Sequence, residues 1–215
     1  MYRENGCQQG VKMDTVSSKK TMDIALYGIF TAIILIMSFT PLGYLKIGVV
    51  DISFLMIPVA IGAIILGPKG GAFLGAMFGI TSFIQCFGMS PFGTALFDIN
   101  PFYTAFLCLV PRILMGFLCG LIFINLRKID KTKMISYIVS SGSAAVINTV
   151  LFVGTLILFF GKTEYIQNIS GSTHIFAIVG VLVTFNAAIE IVACLIVGAA
   201  ISKSLHYFIE GRLTQ

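Results

Sequence analysis

An all-α integral membrane protein, six transmembrane helices in a compact bundle with both termini cytoplasmic, is the fold this sequence predicts, and three observations carry it. The 215 residues are 57% hydrophobic and 11% charged, where a soluble domain carries about 25% charged residues; the mean hydropathy is +0.99. The apolar residues gather into six runs, roughly 23–43, 52–67, 70–88, 102–125, 135–160 and 175–202. The runs lack the period-two alternation of a barrel, and an open sheet leaves its backbone unpaired in lipid. Basic residues, finally, are confined to alternate connections. Placing the N-terminus, the turn after helix 2, the loop after helix 4 and the C-terminus inside gathers Arg3, Lys12, Lys19, Lys20, Lys69, Arg127, Lys128, Lys131, Lys133, Lys203 and Arg212, eleven of the fourteen basic residues. The opposite face keeps Lys46 and Lys162, and cytoplasmic connections are the ones that retain positive charge.

The chain divides into a polar cytoplasmic segment (1–22), a six-helix transmembrane domain (23–203) and a cytoplasmic tail (204–215). Residues 1–22 have no short apolar core with a small-residue cleavage site, so they do not read as a cleaved signal. Met13 opens a stretch, MDTVSSKKTMDIAL, that reads as a start of its own. The net charge of +5 sits in short inter-helix segments and forms no continuous patch, which argues against a nucleic-acid partner.

Helix 1 places Ala25, Gly28 and Ala32 on one smooth stripe, a surface on which another helix can dock closely. That partner can be internal or a separate protein. Helix 2 is short for a hydrocarbon core of about 30 Å, which takes about 20 helical residues, and so draws on its flanks. LGPKGG is a tight turn into helix 3, where Gly71, Gly75 and Gly79 recur at every fourth position. Helix 4 carries Gly116 and Gly120, and here packing within the bundle is the expected use. The connections 43–52, 88–101 and 161–174 are long, rich in Gly, Pro, Ser and aromatics and nearly free of basic charge, suited either to lids over a pocket or to solvated linkers.

Polar groups at depth are the candidate chemistry. Arg112, just after Pro111 in helix 4, and Glu190 in helix 6 are the only formally charged residues well inside apolar spans. A charge at the centre of a membrane helix costs roughly 2.5 to 3.5 kcal/mol on insertion scales. Two retained together read as a polar site or a structural pair. Asn148 lies midway along helix 5, and Asn186 shares a helical face with Glu190 at i, i+4. The guanidinium fork suits a carboxylate, whether that of Glu190 or of a ligand. Near one membrane surface, Gln85 and the segment FDINPFY offer Asp98, Asn100 and Tyr103. Aromatic anchoring competes with binding for Tyr103, and helix capping competes for the other two.

Enzymatic chemistry finds little footing. His174 and His206 fall near opposite faces, and Ser140, Ser141 and Ser143 have no histidine at matching depth. No G-x-x-x-x-G-K-[ST] sequence is present to cradle a phosphate. Cys86, Cys108, Cys119 and Cys194 lie in apolar spans without metal-ligand spacing, so they read as small core residues. No cofactor and no metal is expected.

Taken together, the stripe Ala25, Gly28, Ala32, the stretch ISFLMIPVAIGAIILGPKGGAFLGAMFG at 52–79, Asn148 and NAAIE at 186–190 resemble the substrate-binding S components of energy-coupling factor (ECF) vitamin transporters. The likeness covers residues 23–203, and I-P-x-x-x-G-x-x-x-x-G-P-K-x-G is its most specific element. It implies a subunit that captures a vitamin or related micronutrient from outside, without hydrolysing anything. It further implies a membrane coupling subunit and two cytoplasmic ATPases as partners, and a chain that tips in the membrane to release its ligand. The helix 1 stripe maps onto the coupling contact, although position 29, where a strict A-x-x-x-A pattern has a small residue, is Ile29. The local sequence is most similar to the pantothenate branch, and Arg112 suits a small carboxylate. The competing transport reading is a stand-alone secondary carrier or channel, weakened because the two halves share no residue pattern.

Overall fold

The computed structural model describes residues 4–41, 43–45, 52–130, 134–170 and 186–205. The expected start of the last span at 175–185 lies outside them, as do Arg3, Lys46, Lys131, Lys133, His174, His206 and Arg212. The described chain is helical apart from one two-residue ribbon. Five of its helices, Lys20–Phe39, Met56–Gln85, Pro101–Arg127, Ile135–Phe160 and Ala187–Leu205, are long and apolar enough to cross a membrane.

The first helix, α1 (Glu4–Phe39), starts well before the apolar run, so the polar N-terminal segment continues the same helix. After it, β1 (Tyr44–Leu45) pairs antiparallel with β2 (Ile52–Ser53), with Tyr44 opposite Ser53. A lone ribbon this short is not stable in itself. It is held by neighbours: Phe54 N–H donates to Gly43 O at 2.9 Å, and the end of α1 is tied down where Ser38 Oγ donates to Thr81 Oγ1 at 2.9 Å.

The assigned helix α2 (Met56–Gln85) is broken at Gly67 (φ 80°, ψ −173°), with Pro68 next. Glycine takes that positive φ without Cβ strain, and proline suits the first turn of a new helical segment because its missing N–H has no partner there. The two arms fold against each other. A Cβ on Gly71 would lie 2.6 Å from the Cβ of Ala63, and one on Gly62 would strike Leu74 Cδ1; in a straight helix residues 62 and 74 stand about 18 Å apart. The turn expected at LGPKGG is therefore this sharp reversal.

Past Gly88, also at positive φ (108°), the expected loop 88–101 is mostly a helix, α3 (Pro91–Ile99). Ser90 Oγ caps it by accepting from Gly93 N–H, with Pro91 at its first position. The same arrangement starts α4 (Pro101–Arg127), where Asn100 Oδ1 accepts from Phe102 N–H at 3.1 Å and Tyr103 N–H at 3.2 Å. Periodicity misses α3 because nine residues are too few to show a face; the two Ser/Asn-Pro caps mark it. A further short helix, α6 (Glu164–Ser170), begins the connection after α5 (Ile135–Phe160). The last stretch is α7 (Asn186–Ala193), which passes into a π-helical turn, Cys194–Gly198, and continues as helix through 199–205.

Glycines set the packing. Cβ atoms on Gly71 and Gly75 would strike the carbonyl oxygens of Gly116 and Arg112, one on Gly79 would lie 2.9 Å from that of Cys108, and one on Gly120 would lie 2.7 Å from the Pro68 Cα. The later arm of α2 and α4 thus touch backbone to backbone along antiparallel axes, the close approach that small residues allow in lipid. Around this seam Phe30, Ile34, Val59, Phe78, Met115 and Cys119 form the core.

Candidate functional site

At the end of the bundle that carries the ribbon and α3, a cavity of ≈ 120 Å³ opens between α2, α4, α5 and α7. Its wall includes four residues picked out in the sequence, Gln85, Arg112, Asn148 and Glu190, from four different helices. Asn186 opens α7 one turn before Glu190, but its side chain lies outside the described residues. Asp98, Asn100 and Tyr103 are not on the wall. Asp98 is exposed on α3, Asn100 is spent as the α4 cap, and Tyr103 stacks on Phe159, ring centroids 4.7 Å apart and 14° from parallel.

Arg112 owes its position to Pro111. Proline cannot donate to the carbonyl four residues earlier, which leaves Leu107 O without its helical partner. Arg112 Nη1 donates to that oxygen at 3.3 Å and to Cys108 O at 2.9 Å, so the side chain lies back along its own helix. Its guanidinium carbon sits 4.7 Å from the centre of the Phe78 ring and 5.6 Å from that of Phe152. Such cation–π contacts are worth about 0.5 to 2 kcal/mol each, more as water is excluded. Nε is buried and has no hydrogen-bond partner.

Glu190 is 8% exposed and makes no ion pair with Arg112. Its Oε1 accepts instead from Ser53 N–H at 2.9 Å, which ties the ribbon to α7. Sequence reasoning left open whether the two charges pair with each other. They line one cavity without forming an ion pair, and each keeps unused hydrogen-bonding capacity. Asn148 Oδ1 and Ser53 Oγ are likewise buried without partners. A buried polar atom left unmade costs about 1 to 3 kcal/mol, so three such atoms on residues of one wall point to a missing polar occupant.

Apart from Gln85, the remaining wall was not legible as a site. Tyr44 Oη lies 3.4 Å from Ser82 Oγ, and burial pushes its phenol above the ordinary range, with the Ser82 contact opposing; it stays a neutral donor and acceptor at physiological pH. Gln85 Nε2 donates to Ser38 O. Phe78 and Phe152 read in sequence as ordinary core aromatics, and only the fold brings both rings beside the Arg112 guanidinium. Cys86 and Cys108 face each other at 3.8 Å between sulfurs on the same wall. A layer of Phe92, Leu96, Leu107, Leu156, Phe160 and Ile166 packs at this end of the bundle.

Residues 22–202 match the family described as "ECF transporter, substrate-specific component". The chain is 34% identical over 203 residues to the pantothenate transporter PanT of Leuconostoc mesenteroides, covering 88% of this chain and 95% of that one. It is 28% identical over 202 residues to the pantothenic acid transporter PanT of Lactococcus lactis subsp. cremoris, covering 88% and 96%. Apolar helices enclosing a small polar cavity, and a family match spanning all five of the membrane-length helices but the first two residues of the first and the last three of the last, converge: this chain belongs to the substrate-specific components of ECF transporters, multi-pass proteins of the cell membrane that capture a vitamin for uptake.

Proposed function

We propose that this subunit captures pantothenate in the cavity between α2, α4, α5 and α7, and that Arg112 holds the vitamin's carboxylate. The observation that carries the reading is that Arg112, whose Nε is buried and unpartnered, lines a cavity together with Asn148 and Ser53, which also hold unpartnered polar atoms. The names of both relatives point to the same vitamin, and a charge-assisted pair is the strongest way a planar guanidinium can hold a carboxylate. Gln85, Asn148 and Glu190 serve as further ligand contacts, while Asp98, Asn100 and Tyr103 shape the cavity's surroundings.

The reversal at Gly67 supports counting the two arms of α2 as separate crossings, which gives six helices in the membrane and both termini in the cytoplasm. The chain has no catalytic task of its own: ATP is hydrolysed by two cytoplasmic subunits, which act through a membrane coupling subunit that docks on Ala25, Gly28 and Ala32. Titration of the detergent-purified chain with pantothenate tests the ligand; absence of binding up to millimolar concentration sinks it. Labelling of a cysteine placed at position 98 from outside intact cells tests the topology, and protection there overturns it.

A further inference from the structure

The cavity is electrically lopsided. At one point on its wall stands a guanidinium, which carries only donors and whose Nε is unpartnered. The same wall holds Asn148, whose Oδ1 is an acceptor buried without a partner, and the Glu190 carboxylate. A carboxylate offers about four acceptor sites, and Glu190 uses one, for Ser53 N–H. The two charged groups share the wall but form no ion pair, so neither is hydrogen-bonded to the other.

We infer that Arg112 and Glu190 read opposite ends of one ligand: a carboxylate end at Arg112, and at Glu190 and Asn148 an end bearing hydroxyl or amide donors. A ligand carboxylate turned toward Glu190 meets like charge and an acceptor with nothing to accept, and a hydroxyl turned toward Arg112 leaves the guanidinium unneutralised. Orientation is thus set by charge, and the selected class is a small monocarboxylate with donor groups at the far end; dicarboxylates and uncharged polyols each mismatch one end. Glu190 also keeps Ser53, and with it the ribbon, against the cavity, so the residue that reads the donor end anchors the segment beside it.

This rests on the pantothenate reading, and three probes separate the two. Pantothenate has both ends, pantothenyl alcohol replaces the carboxylate with a hydroxymethyl group, and N-(3,3-dimethylbutanoyl)-β-alanine keeps the carboxylate and lacks both hydroxyls. Binding of each is measured by calorimetry, up to millimolar ligand, for the unmodified chain, Arg112→Gln and Glu190→Gln. Loss of a charged hydrogen bond corresponds to about tenfold or more in affinity. Arg112→Gln is expected to lose that factor for both carboxylates and to bind the alcohol as before. Glu190→Gln, whose amide oxygen still accepts from Ser53, is expected to lose it for pantothenate and the alcohol and to keep its affinity for the dimethylbutanoyl compound. The binding each variant retains also shows that it is folded. Equal losses across all three probes, the crossed pattern, or loss of all binding by either variant overturns the orientation while leaving pantothenate as the ligand. No binding of pantothenate by the unmodified chain overturns both.

Discussion

Along the seam between α2 and α4, every position where a glycine lacks a side chain is occupied by the opposing backbone, whereas along α1 a Cβ added to Gly28 meets nothing within 4 Å. Ala25 and Ala32 on either side are exposed as well, among Ile24, Ile29 and Ile36, which are 55–72% exposed. Two similar small-residue stripes therefore have opposite fates. In lipid an apolar face has no water to escape, so exposure alone carries no penalty; what small residues supply is the option of close approach. The α2 and α4 glycines have used that option inside the chain, and at Gly28 the chain itself leaves it unused.

The comparison breaks most sharply at Gly75. Gly75→Leu drives a branched side chain into the Arg112 carbonyl, and overpacking of this kind costs about 3 kcal/mol or more when backbone has to yield. Loss of the folded, monodisperse protein in thermal unfolding in detergent is the expected outcome, and wild-type stability would show that the seam can part. Next comes Gly28→Leu, expected to abolish uptake in cells that carry the coupling and ATPase subunits, while unfolding changes by no more than about 0.5 kcal/mol and ligand affinity is unchanged. Normal uptake by that variant removes α1 from the docking face.

Asn100→Ala sharpens a smaller contrast, between residues that line the cavity and residues that build its surroundings. Its side chain caps α4, so the substitution is expected to cost about 1 kcal/mol of stability with pantothenate affinity unaltered; a tenfold loss of affinity would make Asn100 a ligand contact. The smallest effect is expected at Pro111→Ala. The restored N–H pairs with Leu107 O in place of Arg112 Nη1, loosening the guanidinium and weakening binding by about two- to threefold, for less than 1 kcal/mol. An unchanged affinity in calorimetry would mean that Cys108 O and the two phenyl rings hold Arg112 without help.

Much of the fold is legible in the chain because membrane insertion is a one-dimensional problem: segment length and apolar content decide which stretches form long helices, and the Gly-Pro-Lys turn marks a reversal. The short helix α3 is marked too, by Ser90-Pro91 and Asn100-Pro101, though a loop reading of 88–101 passes over it. The ribbon is not, since Tyr44 and Ser53 pair across residues with no strand pattern. At the site, Arg112, Glu190, Asn148 and Gln85 stand out because polar groups at depth are costly. Phe78, Phe152 and Tyr44 do not, because an aromatic residue in an apolar helix or at a helix end is unremarkable until something polar is seen beside it.

The amino-acid order by itself determined that this chain lives in a bilayer, which long segments are helical, and that ionisable groups are held within them. Tertiary structure alone decided which small residues are already packed and which are open, and that Arg112 and Glu190 share a cavity without pairing. The physical reason is the same in both cases. Burying a charge or omitting a side chain has a cost written into one residue, but its compensation lies on another helix, and only the packed bundle reveals whether that partner is backbone, a second side chain or empty space.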